Sequence, residues 1–235
     1  MSSFYDLASL VMIPSGKKAG KVYSQKPLTT DGQLDFTRAS TATRIGSDGK
    51  IEKTRKNSFL QSNQFDTTWS NVSSSETSGQ TGYDGTNNAW LLTTTGAGGR
   101  LDQSVSLSGV QSFSIYAKAN TFDFLFLIGI GASDRRGNFD LANGVVGTTQ
   151  NLIDSSIQSI GGGWYRCSIT YNDTIPAVRI YGLQADNDFT GTSGSIYIQD
   201  AQLEPGLVAT NVITTTSAAV SVGSVDNMPR LNYTP

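Results

Sequence analysis

Between residues 57 and 214 the chain alternates apolar and polar positions in short runs. In "SFSIYAKA" (112–119), Phe113, Ile115 and Ala117 share one parity, while Tyr116 and Lys118 take the other. In "WYRCSITY" (164–171), Tyr165, Cys167, Ile169 and Tyr171 form the apolar set and Trp164, Arg166, Ser168 and Thr170 oppose it. In "AVRIYG" (177–182), Val178 and Ile180 point one way and Arg179 and Tyr181 the other. A period of two puts alternate side chains on opposite faces of a strand, so these segments predict strands with one buried and one outward face. "IYIQDAQL" (196–203) changes parity midway: Ile196 and Ile198 fit one phase, Ala201 and Leu203 the other. A β-bulge at Gln199–Asp200 reconciles them.

Further strand signals fall at "NSFLQS", "NAWLLTTT", "RLDQSVSL", "FDFLFLIGIG", "GNFDLANGVVGTT" and "NLIDSSIQSI". The glycine clusters "GAGG" (96–99) and "SIGGGW" (159–164) read as turns, since neither has the strand–loop–helix context of a phosphate loop. "SDRRGNFD" (133–140) reads as a polar hairpin tip. No segment sustains a helical period. Roughly ten strands in about 155 residues predict an all-β fold, a two-sheet sandwich.

Residues 1–56 differ. Ten of the 17 basic residues are here: Lys17, Lys18, Lys21, Lys26, Arg38, Arg44, Lys50, Lys53, Arg55 and Lys56. Short strands are expected at "KVYSQ", "LDFTRAS", "TRIG" and "KIEKT", with "SDGK" (47–50) a turn between the last two. So polar a region builds no core of its own. It is expected to be an arm that packs on another body, with solvated edge strands of the main domain as the alternative. Residues 215–235 read as an extended linker.

Composition narrows the chemistry. At 37% hydrophobic and 15% charged residues the chain is neither a disordered acidic polymer nor a charged coiled coil. A net charge of −2 gives no reason to expect a nucleic-acid partner. The one cysteine, Cys167, rules out an intrachain disulfide and is expected to be buried. With no histidine, His-based general bases, Ser-His-Asp triads and the usual zinc sites are excluded. The opening "MSSFYDLASLVMIPSGKKAGKVYS" does not read as a signal peptide, and no run reaches the ~20 apolar residues of a membrane span. The chain is expected to be soluble, made in a cytoplasm and not inserted in a membrane. Sequons at Asn71, Asn172 and Asn232 carry little without a secretory signal.

Glycoside cleavage needs two opposed carboxylates. Asp102, Asp123, Asp134, Asp140, Asp154, Asp200 and Glu204 are present, but most fall at strand ends or turns and none repeats at a spacing that builds a pair. No enzyme is expected, and no cofactor. The best ligand-binding set is outward: if the strands share a sheet, Tyr116, Lys118, Trp164, Arg166, Arg179 and Tyr181 form one aromatic and cationic face of the kind that holds sugars. The competing reading is that the arm or a neighbouring subunit covers this face. Trp69 and Trp90 are expected to be partly buried anchors.

The order of motifs is familiar. "LDFTRASTATRIGSDGKIE", "NSFLQSNQFDTTWSNV", "GWYRCSITY" and "IYIQDAQLEPGLVATNVITTT" together resemble a module of bacteriophage virion proteins, notably tail-fibre and surface-fibre proteins. "SFYDLASLVMIPSGKKAGKVYSQKP" resembles the N-terminal part of such proteins, and "VDNMPRLNY" the point where they continue. "DFTRASTAT" and "YIQDAQLEPG" are the most specific pieces. The central segment is also similar to carbohydrate-binding modules of jelly-roll fold. The resemblance implies a structural protein of the phage particle surface, assembled in the host cytoplasm and joined to other virion proteins through residues 1–56. It implies a homotrimer, and a jelly-roll-like sandwich over 57–214 that contacts host glycans. In related sandwiches a structural calcium joins first and last strands, and Asp200 with the groups near Asn63 and Gln64 would be its ligands. One carboxylate is too few for a hard cation, so no metal is expected. Two alternatives stay open: a capsid decoration or head-fibre protein with no ligand, and a polysaccharide-degrading enzyme.

Overall fold

The computed structural model describes residues 4–18, 21–27, 32–35, 43–45, 51–52 and 54–223. The chain divides into two units, Met1–Arg55 with Ser221–Pro235, and Lys56–Val220. In the first unit a four-residue helix, Phe4–Leu7, precedes strands β1 (Val11–Lys18), β2 (Lys21–Lys26) and β3 (Leu34–Asp35), which form an antiparallel sheet in that order. Lys21 Nζ lies 3.0 Å from Asp35 Oδ1, and Lys26 Nζ donates to the Asp6 carbonyl at 2.9 Å. Strands β4 (Arg44–Ile45) and β5 (Ile51–Glu52) pair antiparallel. The turn expected at 47–50 lies outside the described residues. β1 had no alternating signature, since Pro14 and Gly16 interrupt it.

The second unit is an all-β, jelly-roll-like sandwich. β6 (Arg55–Asn57) leads into it. The strands that follow are β7 (Ser70–Val72), β8 (Ser74–Gln80), β9 (Ala89–Thr94), β10 (Arg100–Leu107), β11 (Val110–Ala119) and β12 (Phe124–Ile130). After them come β13 (Arg135–Asp140), β14 (Val145–Gln150), β15 (Asp154–Gly161), β16 (Trp164–Asn172), β17 (Ile175–Leu183) and β18 (Gly194–Pro205). The first sheet runs β14-β13-β12-β17-β10-β7 and the second β15-β16-β11-β18-β9-β8. The chain changes sheet at β7/β8, β9/β10, β10/β11, β11/β12, β14/β15, β16/β17 and β17/β18. Every pairing described in the sandwich is antiparallel.

The inward parities meet as expected. Phe113, Ile115, Cys167, Ile169, Tyr171, Val178, Ile180, Ile196, Ile198 and Leu203 belong to one buried core. Trp69 and Trp90 join it, packed with Phe59 and Phe65 at centroid distances of 5.1–6.1 Å. The bulge in β18 is real. Tyr116 pairs with Gln199 and Ser114 with Gln202, so two residues of β18, Asp200 and Ala201, oppose one of β11, Ile115, and Asp200 takes a φ of 53°. Asp is among the few non-glycine residues that tolerate this left-handed conformation.

Three expectations need correction. "NSFLQS" is not a strand beyond Asn57: residues 58–69 form an irregular plug. Buried Asn57 pins its start, its Nδ2 donating to the Ala201 and Ile213 carbonyls (3.2 and 2.8 Å) and its Oδ1 accepting from Phe59 N and Leu203 N (both 3.1 Å). The hairpin tip read at 133–140 is confined to its first two residues: 135–140 are strand β13, in keeping with the strand signal at "GNFD", with Gly137, Asn138 and Phe139 buried beside β12. Residues 215 and 216 are held to the sandwich, Ser62 N and Gln61 N donating to their carbonyls at 3.3 and 2.7 Å. The sandwich unit therefore runs on past 214. The short, exposed β7 and the all-polar β8 were not foreseen, because edge strands with exposed faces lack apolar alternation.

Candidate functional site on the outer faces

The six predicted ligand-binding residues do not share a surface. Tyr116 pairs directly with Arg166, and Lys118 with Trp164, on the second sheet. Arg179 and Tyr181 lie on β17, in the first sheet. Parity is a property of one strand and says "outward", but the chain changes sheet between β16 and β17, so outward means opposite sides of the sandwich.

On the second sheet the protein itself covers the aromatic half. Tyr116 is 9% exposed and Trp164 4%. The loop 81–88, which joins β8 to β9, lays Tyr83 flat on Tyr116, with centroids 3.8 Å apart and planes 13° from parallel. Trp164 meets the edge of Tyr83 at 6.3 Å and Tyr197 at 6.4 Å. The Tyr83 hydroxyl donates to Asp200 Oδ2 at 2.8 Å, and its backbone N–H donates to Gln199 Oε1 at 3.2 Å. Burial raises the Asp200 pKa above the usual carboxyl value, an effect the Tyr83 hydrogen bond opposes. Burial and the adjacent carboxylate hold the Tyr83 phenol far above its ordinary range. The bulge thus serves to aim a buried carboxylate at the loop that covers the face.

Further along this face a polar stripe of Ser112, Ser114, Thr170, Gln202 and Glu204 is buried. It lies under a strap, residues 206–213, and is satisfied by it, as buried polar groups must be. Glu204 Oε2 accepts from Gln202 Nε2 (2.6 Å) and Thr210 N (2.8 Å), and its Oε1 accepts from Thr210 Oγ1 (2.5 Å). Gln202 Oε1 accepts from Ile213 N at 2.6 Å. Thr170 Oγ1 donates to the Leu207 carbonyl at 3.2 Å. Arg166 donates to the Thr210 carbonyl and, at 3.2 Å, to Ser114 Oγ, and its guanidinium lies 5.4 Å from the Tyr116 ring centroid.

Between this strap and β15 runs a groove of about 220 Å³. Its floor is a ladder of facing polar pairs: Asp154 with Thr170, Ser156 with Ser168, and Gln158 with Arg166. The rungs repeat every second residue, about 7 Å apart. Leu207, Val208 and Ala209 form an apolar wall, with Leu207 60% and Val208 71% exposed. Carboxylate, hydroxyl, amide and guanidinium groups beside an apolar wall suit a polyhydroxylated ligand, whose O–H groups both donate and accept while its C–H surface packs on carbon. Of these residues only Arg166 was expected to bind a ligand; Asp154 was considered as a catalytic carboxylate, and Ser168 and Thr170 only as outward-facing positions. The alternation in "DSSIQSI" and "RCSIT" does mark the floor, but nothing local marks the strap as a wall.

On the first sheet Arg179 and Tyr181 join Arg100, Phe126 and Phe189, which sequence reasoning did not single out, and Asp102, considered there only as a catalytic carboxylate. Arg100 and Arg179 converge on one oxygen of Asp102, at 3.0 and 3.3 Å. Arg100 also lies 5.8 Å from the Tyr181 ring centroid. Tyr181, Phe126 and Phe189 form an edge-to-face trio with centroids 5.1–5.4 Å apart. Phe189 reaches the face on the loop 184–193, which is held by Gly98 N donating to the Phe189 carbonyl at 3.0 Å and Thr148 N to Asp186 Oδ2 at 2.8 Å.

The carboxylates considered for catalysis are dispersed. Asp102 sits between two guanidiniums, Asp200 faces Tyr83, Glu204 holds the strap, and Asp140 accepts from Ala142 N and Asn143 N. The groups weighed as cation ligands face protein donors: Asn63 Oδ1 accepts from Asp200 N (3.1 Å) and the Asn63 carbonyl from Trp90 Nε1 (3.0 Å). Among the described residues no three acidic, cysteine or histidine side chains gather as a metal site would require.

No protein-family model matches the chain, and no curated protein matches it. Among solved structures it is similar to the CBM22-1 and GH10 modules of the N-terminal endo-1,4-beta-D-xylanase 10B of Clostridium thermocellum, complexed with xylohexaose. There the identity is 13% and the TM-score 0.40, over 68% of this chain and 29% of that one. It is also similar to the CBM22-1 xylan-binding domain of Paenibacillus barcinonensis Xyn10C, at 16% identity and a TM-score of 0.35, over 66% of this chain and 94% of that one. The chain thus spans under a third of the first of these proteins.

Proposed function

We propose that this chain is a non-catalytic, glycan-binding surface protein of a bacteriophage particle, of the tail-fibre or surface-fibre type. The groove along β15 and β16 carries the binding part of the reading. Its three facing polar pairs and apolar wall match what a sugar chain offers, and Asp154, Ser156 and Gln158 on β15 are exposed to meet one. The phage part rests on the sequence motifs from "DFTRASTAT" to "YIQDAQLEPG". The basic first unit joins other virion proteins, and homotrimeric copies present several grooves at once. Weak single contacts then combine through multivalency.

Glycan-array binding followed by calorimetry tests this. Gln158→Ala and Ser156→Ala alter the exposed groove floor without touching the core. Each removes a hydrogen-bonding group worth ~0.5–1.5 kcal/mol, so each is expected to weaken binding about 2- to 10-fold. An array with no hits, or hits indifferent to both substitutions, refutes the groove as the site. A ligand-free decoration protein is the second reading, favoured by the way Tyr83 already fills the aromatic surface of Tyr116 and Trp164. An empty array supports it.

A further inference from the structure

The outer face of the first sheet carries a second feature, remote from the groove. Arg136, Ile128, Arg179 and Asp102 are successive cross-strand neighbours on one rung, and Asn138, Phe126, Tyr181 and Arg100 on the next outward rung. Three guanidiniums, from Arg100, Arg136 and Arg179, thus share these two rungs with one carboxylate, that of Asp102. Asp102 already serves both Arg100 and Arg179 through the same oxygen. Arg179 Nε has no well-aligned acceptor, and its side chain is 34% exposed. Among the described residues no carboxylate pairs with Arg136. Arg136 and Arg179 are two strand spacings apart, about 10 Å, with Ile128 between them. Phe126, Ile128 and Tyr181 make the floor apolar and dry, at 1%, 4% and 7% exposure.

Asp186 and Asp140 border this face and keep their charge, but their hydrogen bonds run to neutral donors and neither forms an ion pair with Arg100, Arg136 or Arg179. Asp186 Oδ2 accepts from Thr148 N and Oγ1 (2.8 and 2.9 Å), and Asp140 Oδ1 accepts from Ala142 N and Asn143 N (3.0 and 2.9 Å). Under-neutralised guanidiniums over an apolar floor are a site for a planar anion, because arginine forms paired hydrogen bonds to a carboxylate and the dry floor limits screening. We infer that the Arg100–Arg136–Arg179 face binds a carboxylate-bearing sugar, a uronate or sialylated glycan, at a second site on the side of the sandwich opposite the groove. The negative net charge argues against a polyphosphate, which needs a broad basic surface. The inference takes its ligand class from the carbohydrate reading but stands on its own residues.

Calorimetry on the full chain with oligogalacturonate and with its methyl ester separates the two sites, because the esters keep the sugar backbone and lose the charge. A sialylated glycan and its desialylated form make a second matched pair. The acidic member of at least one pair is expected to bind 10-fold or more tightly than its neutral partner, with affinity falling as salt rises. Arg179→Gln and Arg136→Gln should each weaken acidic binding about 10-fold, while Gln158→Ala leaves it unchanged. Arg136→Gln breaks no ion pair, so its effect is not a folding defect, and thermal melts confirm this for both variants. Equal affinity for acidic and neutral partners, or acidic binding lost only in the groove variant, overturns the inference. If neutral glycans bind through the groove and no acid preference exists, the carbohydrate reading stands and the second site falls. If nothing binds, both fall.

Discussion

Removing the Glu204 carboxylate should free the strap that walls the groove. Glu204 is 2% exposed and accepts three hydrogen bonds, two of them from Thr210 in the strap. Hydrogen bonds to a charged group contribute ~1.5–3 kcal/mol each, whereas recovering the carboxylate's solvation offsets part of that sum. Gln202 Nε2 keeps the Thr210 and Asn211 carbonyls as acceptors (3.2 and 3.3 Å), so the uncompensated loss falls on the two Thr210 donors. Glu204→Ala is therefore expected to cost about 3 kcal/mol. Glu204→Gln keeps the shape and one acceptor but turns an amide N–H toward donors, and should cost about half as much. Urea titration measures this as a shift in midpoint at constant m-value. Glu204→Ala and Gln202→Ala should combine non-additively, since both act on the strap. A Glu204→Ala protein within about 0.5 kcal/mol of the parent would refute the assignment, because a strap so held cannot be released at no cost. The same variant should also weaken glycan binding, as Leu207, Val208 and Ala209 lose their fixed place opposite β15.

Two further outcomes follow from buried titratable groups. Because burial raises the Asp200 pKa, the folded state holds that proton more tightly than the unfolded chain does. Its contribution to stability is full below the ordinary carboxyl pKa and is lost as pH rises through the elevated one. Asp200→Asn, which keeps an acceptor for Tyr83 and tolerates the positive φ, should remove that loss and raise the melting temperature at neutral pH. Melting curves of parent and variant that stay parallel from acid to neutral pH would disprove it. Cys167 is wholly buried, and burial pushes its thiol well above the ordinary range. A thiol reagent should therefore label it only at the rate of unfolding, and prompt labelling in native buffer would contradict the core assignment.

Several elements were legible from residues alone because strands with one buried face write that face into their own alternation. β11, β16 and β17 showed their core stripes, and the change of phase in β18 predicted the bulge that Asp200 occupies. β12 was legible as a strand, though not the reason it is apolar on both sides: it sits in the middle of the first sheet, and the loop carrying Phe189 packs on Phe126 over its outer face. β7 and β8 were not legible, since as edge strands they bury too little to need a pattern.

The sequence by itself determined which side chains point inward, where the sandwich bends, and which chemistries are excluded by the lack of histidine and of a second cysteine. Only the tertiary structure decided which outward residues meet. Parity is settled by a strand's own backbone, whereas the partner across a face comes from chain that is far away in sequence. Tyr83 reaches Asp200 across 117 residues to cover Tyr116 and Trp164, the strap after β18 turns a polar ladder into a groove, and a change of sheet sends Arg179 and Tyr181 to the opposite side from Arg166. Such contacts depend on how the strands are ordered, and strand order is a global choice that no local period encodes.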